Sequence, residues 1–210
     1  MRGKDIKMTH TVLAPLPTGT SDFETLRDRG QIYVDKTALI YKLASRSEKF
    51  FLTRPRRFGK SLLVSTFASL FKNGLKYFSG LAIEKLWKDT TYNVVEIDFS
   101  EIKNITGFED FKKQLNETLE SAFKPLGFEL DRSSDISLMK QLSAWMKTIA
   151  SNSVVLLIDE YDSPLTACLG DKALFRSVRT RLASFYATVK ANDRCFRFVF
   201  MTGIAKFNQT

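Results

Sequence analysis

Short apolar segments alternate along this chain with amphipathic segments of ten residues or more. Four apolar segments have the length of buried strands: KFFLT (49–53), NVVEIDFS (93–100), VVLLIDE (154–160) and FRFVFMTG (196–203). Four other segments repeat apolar side chains at intervals of three and four, as amphipathic helices do: 61–72, 108–123, 136–149 and 174–189. Strands joined through helices of this length pair in parallel, so the order predicts an α/β fold with a mainly parallel central sheet.

Length and composition fit one compact domain. Among the 210 residues, 44% are hydrophobic and 12% are aromatic, which supplies a well-buried core and excludes a disordered chain. The interpretation is an irregular lead-in over 1–20 and one domain over 21–210. Cys168 and Cys195 lie far apart, so we expect no disulfide or zinc site, and a reducing cytoplasm fits best. No apolar run has the length of a signal peptide core or a membrane span, so we expect no membrane partner.

The net charge of +9 favours polyanionic partners such as nucleotides, nucleic acid or acidic membrane surfaces. Four basic residues fall near one face of the predicted helix over 171–192: Lys172, Arg176, Arg179 and Lys190. Such a stripe fits the phosphate backbone of a nucleic acid, but it is more often a solvated helix face. Nucleic acid therefore stays open as a partner of this basic surface.

The segment TRPRRFGKS (53–61) connects the strand candidate KFFLT to a predicted helix. Gly59, Lys60 and Ser61 supply the second half of a phosphate-binding loop. The ammonium group suits the β- and γ-phosphates, the hydroxyl suits Mg²⁺, and the helix N-terminus offers backbone N–H groups. The complete pattern G-x-x-x-x-G-K-[ST] places glycine at position 54, where Arg54 stands. For the tripeptide alone, a basic turn with a chance GKS is an equal alternative.

The predicted nucleotide contacts cover the whole loop and the start of the helix: Arg54, Pro55, Arg56, Arg57, Phe58, Gly59, Lys60, Ser61 and Leu62. The three arginines lack the backbone freedom of glycine, but their guanidinium groups neutralise phosphate charge. A solvated basic turn or a nucleic-acid contact is the alternative for them.

The run VVLLIDE ends in two carboxylates at the sheet edge where open α/β sheets bind ligands. Asp159 is predicted to hold Mg²⁺ together with Ser61, and Glu160 to orient and polarise the attacking water. The alternative is structural: an apolar run that ends in Asp-Glu is more often an ordinary strand whose last residues emerge from the core. Its place about 100 residues after GKS favours the nucleotide site. Asp162 is predicted to cap a helix, with an outer-shell carboxylate as the alternative.

Thr202 ends the last strand candidate, FRFVFMTG. A polar residue at that position contacts the γ-phosphate or the attacking water in NTPase sheets. The alternative is a strand-end hydroxyl that is satisfied within the protein.

Four segments together resemble the AAA-ATPase-like family of prokaryotic P-loop NTPases: LPTGTSDFETLRDRGQIYVDKTALI, FFLTRPRRFGKSLLVSTF, LLIDEYDSP and FMTGIAKFN. RPRRFGKS is the usual loop of that family, so Arg54 does not argue against ATP. The resemblance implies a three-layer α/β/α sandwich that binds ATP and Mg²⁺ through Lys60 and Ser61. It implies that Asp159 and Glu160 are the Walker B pair and that Thr202 lies near the first sensor position. It also suggests that 33–37 lies near the adenine, although packing explains that segment equally well.

Members of the family usually continue into more of the ATPase and a nuclease-like C-terminal domain of the PD-(D/E)XK class. No nuclease signature is evident in this chain, which stops at Thr210. We therefore expect a C-terminally truncated domain that lacks the last strand of its sheet. We also expect self-association through the uncovered edge of KFFLT.

The leading functional prediction is a Mg-dependent ATPase whose turnover drives a conformational change in an attached or partner domain. The alternative is a basic nucleic-acid-binding module that keeps the loop as a non-hydrolytic phosphate clamp. Glu160 favours the ATPase, because a clamp needs no carboxylate that orients water.

Overall fold

The computed structural model describes residues 14–88 and 90–204. Four strands form one parallel sheet in the order β1-β4-β3-β2: β1 (Lys49–Thr53), β2 (Asn93–Asp98), β3 (Val154–Asp159) and β4 (Phe196–Gly203). The predicted parallel α/β sheet is confirmed. The strand that comes last in the chain, β4, lies between β1 and β3. Within the described residues β1 pairs along one side only, with β4.

Seven α-helices occur within the described residues: α1 (Phe23–Asp28), α2 (Thr37–Ala44), α3 (Lys60–Asn73), α4 (Phe108–Phe123), α5 (Leu138–Met146), α6 (Ser163–Ala167) and α7 (Lys172–Ala191). The four predicted helices correspond to α3, α4, α5 and α7. Of the lead-in predicted over 1–20, residues 14–20 carry no helix or strand, and the remainder lies outside the described residues. None of these helices combines the length and the hydrophobicity needed to cross a bilayer.

Two apolar cores lie on opposite faces of the sheet, as in a three-layer α/β/α sandwich. Side chains alternate along β3, so Val155 and Leu157 join the core under α2 and α3, whereas Leu156 and Ile158 join the core under α4, α5 and α7. Every residue of β3 is buried. This is why its sequence is continuously apolar: a central parallel strand is covered on both faces.

The candidate nucleotide site at the carboxyl ends of the strands

The loop over 54–59 joins the end of β1 to the first residue of α3. Gly59 has a φ of +72°, a left-handed conformation that costs glycine little and other residues more. No described side chain caps α3 at Gly59. The N-terminus of this 14-residue helix is therefore available to an anion, which its N–H groups and its dipole favour.

The side chain of Lys60 lies across the loop. It is 6% exposed, and its Nζ donates to the backbone oxygen of Pro55 at 3.3 Å. At the start of the loop, the N–H of Arg54 donates to the backbone oxygen of Gly203 at 3.1 Å. The start of the loop is thus bonded both to β4 and to the side chain of Lys60, which follows the loop.

The remaining predicted contacts differ in exposure. Arg54, Arg56, Arg57 and Phe58 are exposed to solvent. Ser61 is half-buried. Leu62 is half-buried, and its side chain packs against the core under α2 and α3.

Asp159 ends β3 as a buried carboxylate that is 7% exposed. Its Oδ1 accepts the N–H of Glu160 at 2.9 Å and also accepts the hydroxyl of Thr202. Both donors bond to Oδ1, so Oδ2 takes part in neither of these two hydrogen bonds. Thr202 is fully buried, and its backbone oxygen accepts the N–H of Tyr161 at 3.0 Å. In this structure the Thr202 hydroxyl is therefore satisfied by Asp159, the alternative that the sequence left open.

Asp98 is a site residue that the sequence analysis missed. It ends β2 directly beside Asp159 in the register of the two strands. Its Oδ1 accepts the N–H of Ser100 at 2.8 Å. The signal was present, because NVVEID, like VVLLID, is an apolar strand that ends in aspartate.

A groove of about 590 Å³ is lined by Ser61, Asp98 and Asp159 together. A hydroxyl and two carboxylates are the oxygen ligands that Mg²⁺ prefers. Within residues 14–88 and 90–204, no cluster of three or more His, Cys, Asp or Glu side chains forms a metal site made by the protein alone. Ser61, Asp98 and Asp159 nevertheless fit Mg²⁺, because this ion typically binds one or two carboxylates and takes its other ligands from phosphates and water.

Glu160 follows β3 with a φ of +46°. Burial raises the pKa of its carboxyl above the usual value, and the negative charges of Asp159 and Asp98 act in the same direction. The cations of Lys60 and Arg56 lower the pKa without outweighing these effects. Elevated pKa values of this kind are common among catalytic bases.

Glu160 and Asp159 line different cavities. Asp159 lines the groove that contains Ser61, whereas Glu160 lines a separate cavity of about 400 Å³ with Arg56 and Ser163. The two neighbouring carboxylates therefore have different surroundings.

The predicted capping role of the Asp162 side chain is wrong. Asp162 stands at the N-cap of α6, but its carboxylate makes no capping bond. Instead Oδ2 and Oδ1 accept the N–H of Ile204 at 3.0 and 3.2 Å. The N–H lies one residue beyond β4, and the local sequence around Asp162 cannot reveal a partner 42 positions away.

The segment over 33–37 is part of the packing around α2. The Tyr33 ring meets the Phe23 ring edge-on, with centroids 5.1 Å apart. Thr37 is fully buried, and its hydroxyl donates to Asp35 and accepts the N–H of Ile83. These contacts support the packing explanation. On α7, Lys172, Arg176 and Lys190 are exposed and Arg179 is half-buried, so a nucleic-acid contact there stays a prediction.

Comparison with known proteins gives two matches. A family described as "Predicted AAA-ATPase" matches residues 17–210. A protein named "Uncharacterized protein in vnfD 5'region", from Azotobacter chroococcum mcd 1, is 31% identical over 196 residues. That match covers 92% of this chain and 38% of the relative, so the chain spans well under half of the relative's length. The family match includes the loop between β1 and α3, Asp159 at the end of β3, Glu160 after it and the whole of β4, and this chain belongs to the AAA-ATPase-like family of predicted AAA-ATPases.

Proposed function

We propose that this domain binds Mg-ATP at the loop between β1 and α3 and hydrolyses it. The observation that best supports this proposal is the arrangement at one edge of the sheet. The α3 N-terminus with Lys60, the carboxylates of Asp159 and Glu160 at the end of β3, and Thr202 all lie there. Membership of a family of predicted ATPases supports a nucleotide-binding role. We further propose that turnover drives a conformational change in an attached or partner domain.

Lys60 and the first N–H groups of α3 would bind the β- and γ-phosphates. The bond from Lys60 to Pro55 is 3.3 Å long and joins a cation to a neutral oxygen. A phosphate oxygen offers a shorter, charge-assisted bond, so ATP can displace the carbonyl. The exposed guanidinium groups of the loop add positive charge around the phosphates.

Ser61 and Asp159 would hold Mg²⁺, and Asp98 lies beside them in the same groove. When bound, the metal ion neutralises negative charge on the phosphate oxygens. Thr202 fixes the orientation of Asp159 through its hydroxyl. Glu160 is the residue that would accept a proton from the attacking water, which its raised pKa assists.

The test compares Lys60→Ala with Glu160→Gln, in calorimetric ATP titrations with and without Mg²⁺ and in phosphate-release assays. Lys60→Ala is expected to weaken ATP binding by about tenfold or more, since it removes a charged contact to phosphate. Glu160→Gln is expected to keep ATP affinity and to lose about 100-fold or more in turnover, as befits a general base. Lys140→Ala and Glu117→Gln, which make the same substitutions at exposed positions, are the matched controls.

Undiminished affinity in Lys60→Ala would exclude this loop as the phosphate site. Equal losses of binding and turnover in Glu160→Gln would instead assign that residue a structural role. Wild-type protein that binds ATP without turnover would support a non-hydrolytic clamp.

A further inference from the structure

Residues 202–204, at the end of β4, are bonded to both halves of the proposed site. The backbone oxygen of Gly203 accepts the N–H of Arg54 in the phosphate loop at 3.1 Å. The backbone oxygen of Thr202 accepts the N–H of Tyr161 at 3.0 Å. The N–H of Ile204 donates to the carboxylate of Asp162. The phosphate loop and the turn after β3 thus contact each other through one short segment of backbone.

The turn after β3 contains Glu160, and residues on both sides of it are bonded to β4. Asp159 accepts the Thr202 hydroxyl, and Tyr161 donates to the Thr202 backbone. Glu160 itself adopts a left-handed backbone conformation that is unfavourable for a residue with a side chain. Such a conformation persists where the surroundings over-determine it.

Asp162 is the most deeply buried charged partner in this turn, with 2% exposure. A buried carboxylate is costly unless hydrogen bonds compensate for its lost hydration. Both of its oxygens accept the same N–H of Ile204, at 3.0 and 3.2 Å. The carboxylate of Asp162 therefore links the turn after β3 to the end of β4, and it makes no capping bond to α6.

Gly203 makes this close approach sterically feasible. A Cβ atom at position 203 would lie 2.3 Å from the Tyr161 ring and 2.5 Å from Oδ1 of Asp162. Real Cβ contacts are essentially never shorter than 3.0 Å. Gly203 lies in regular strand β4 and is not among the positive-φ glycines, so the requirement is for space and not for backbone freedom. A side chain at position 203 would therefore have to displace the Tyr161 ring and the Asp162 carboxylate.

We infer that Asp162 and Gly203 form a clamp that positions Glu160 relative to the phosphate loop; this inference rests on the proposed function. Asp162 lines the same cavity as Glu160, but both oxygens of its carboxylate accept the N–H of Ile204. Asp162 and Gly203 act through the backbone of the turn, so they are positioning residues. Loss of the clamp displaces Glu160, and a displacement of about 1 Å lowers a reaction rate about 100-fold. ATP affinity depends on Lys60 and the loop, where Lys60 donates to Pro55, whereas the carboxylate of Asp162 accepts the N–H of Ile204.

The experiment measures ATP affinity by calorimetry and hydrolysis by single-turnover assays in Asp162→Ala, Asp162→Asn and Gly203→Ala. Asp162→Ala is expected to lower the hydrolysis rate about 100-fold and to change ATP affinity by less than about threefold. Asp162→Asn keeps an oxygen that can accept the Ile204 N–H, so it should recover most of the rate. Gly203→Ala should lower the hydrolysis rate as Asp162→Ala does, and only its rate is compared, because the backbone oxygen of Gly203 also accepts the N–H of Arg54 in the phosphate loop.

Asp171→Ala is the matched control, because Asp171 also accepts backbone N–H groups, from Ala173 at 2.9 Å and Leu174 at 3.0 Å. Those bonds cap α7 away from the turn. This variant is expected to lower thermal stability and to leave the hydrolysis rate unchanged.

A double-variant cycle separates positioning from general damage to the fold. If Asp162 acts through Glu160, then Asp162→Ala lowers the rate no further in a Glu160→Gln background. Additive losses, an unchanged rate in Asp162→Ala, or parallel losses of affinity and rate would each overturn the clamp while the proposed function stands. Absence of hydrolysis in the wild-type protein would overturn the proposed function, and the clamp with it.

Discussion

At the scale of single residues, the phosphate loop places two left-handed conformations two positions apart. Gly59 has a φ of +72°, and Arg57 has a φ of +67°. A left-handed conformation costs an L-residue with a side chain about 1–2 kcal/mol, and a β-branched residue suffers most. The loop therefore stores strain at Arg57, whose side chain is exposed to solvent.

We expect Arg57→Val to lower the free energy of unfolding by about 1–2 kcal/mol relative to Arg57→Gly, since only glycine tolerates this backbone conformation. Urea denaturation measures the difference. Arg56 is the matched position, because it is equally exposed and is not among the positive-φ residues. At position 56, the Gly variant should be no more stable than the Val variant. The same preference for glycine at both positions would contradict a specific strain at Arg57.

At the scale of elements, one aspartate joins the start of α2 to the 3-10 helix Ala82–Lys85. Asp35 accepts the N–H and the hydroxyl of Thr37 at 2.8 and 2.6 Å, and it accepts the N–H of Ala82 at 2.8 Å. Burial acts to raise the pKa of Asp35, but the hydrogen bonds from Thr37 and Ala82 outweigh it, and the pKa lies below the usual value of 3.8. The ionised form is thus the one that stabilises this junction.

Asp35→Ala is expected to lower the free energy of unfolding at neutral pH by about 0.5–2 kcal/mol, because it removes a capping acceptor from backbone donors that water can only partly replace. The stabilisation by a carboxyl with a lowered pKa is present above its unfolded-state pKa and is lost as the pH falls through the folded-state value. The difference between variant and wild type should therefore shrink on acidification. Exposed Asp135→Ala is the control. A large loss of ATP affinity in Asp35→Ala would instead place the adenine near 33–37.

At the scale of the whole molecule, one sheet connects two apolar cores to the proposed site. Aromatic rings dominate the core under α3, where Phe67 lies 5.0 Å from Phe198 and 4.8 Å from Phe200, measured between ring centroids. Both of those partners are on β4, the strand that ends at the site. Because a ligand that binds only the folded state stabilises it by mass action, ATP binding at these strand ends would raise the stability of the domain.

Mg-ATP at about 100 times its dissociation constant should stabilise the domain by about 2.7 kcal/mol. For a domain of this size, that corresponds to a rise in Tm of about 5–10 °C. Differential scanning fluorimetry with and without Mg²⁺ measures the shift, and Lys60→Ala should abolish most of it. An equal shift in Lys60→Ala would mean that ATP binds elsewhere on a surface whose net charge is +9.

Much of the fold and part of the site follow from local sequence. The apolar runs predict the four strands and the spacing of apolar residues predicts the main helices, because burial of a strand or of a helix face constrains adjacent residues directly. Lys60 and Ser61 begin α3 and Asp159 ends β3, as the motifs predict. Asp98 could have been predicted in the same way, since β2, like β3, is an apolar strand that ends in aspartate.

What tertiary structure alone decided is which strand ends become neighbours. The order that places β4 between β1 and β3 brings Ile204 to Asp162 and makes Gly203 the residue that gives Tyr161 room. No local pattern encodes these pairings, because a buried carboxylate accepts whichever N–H the packing brings to it. The partner is set by where the chain returns to the sheet, and that depends on the two cores as a whole.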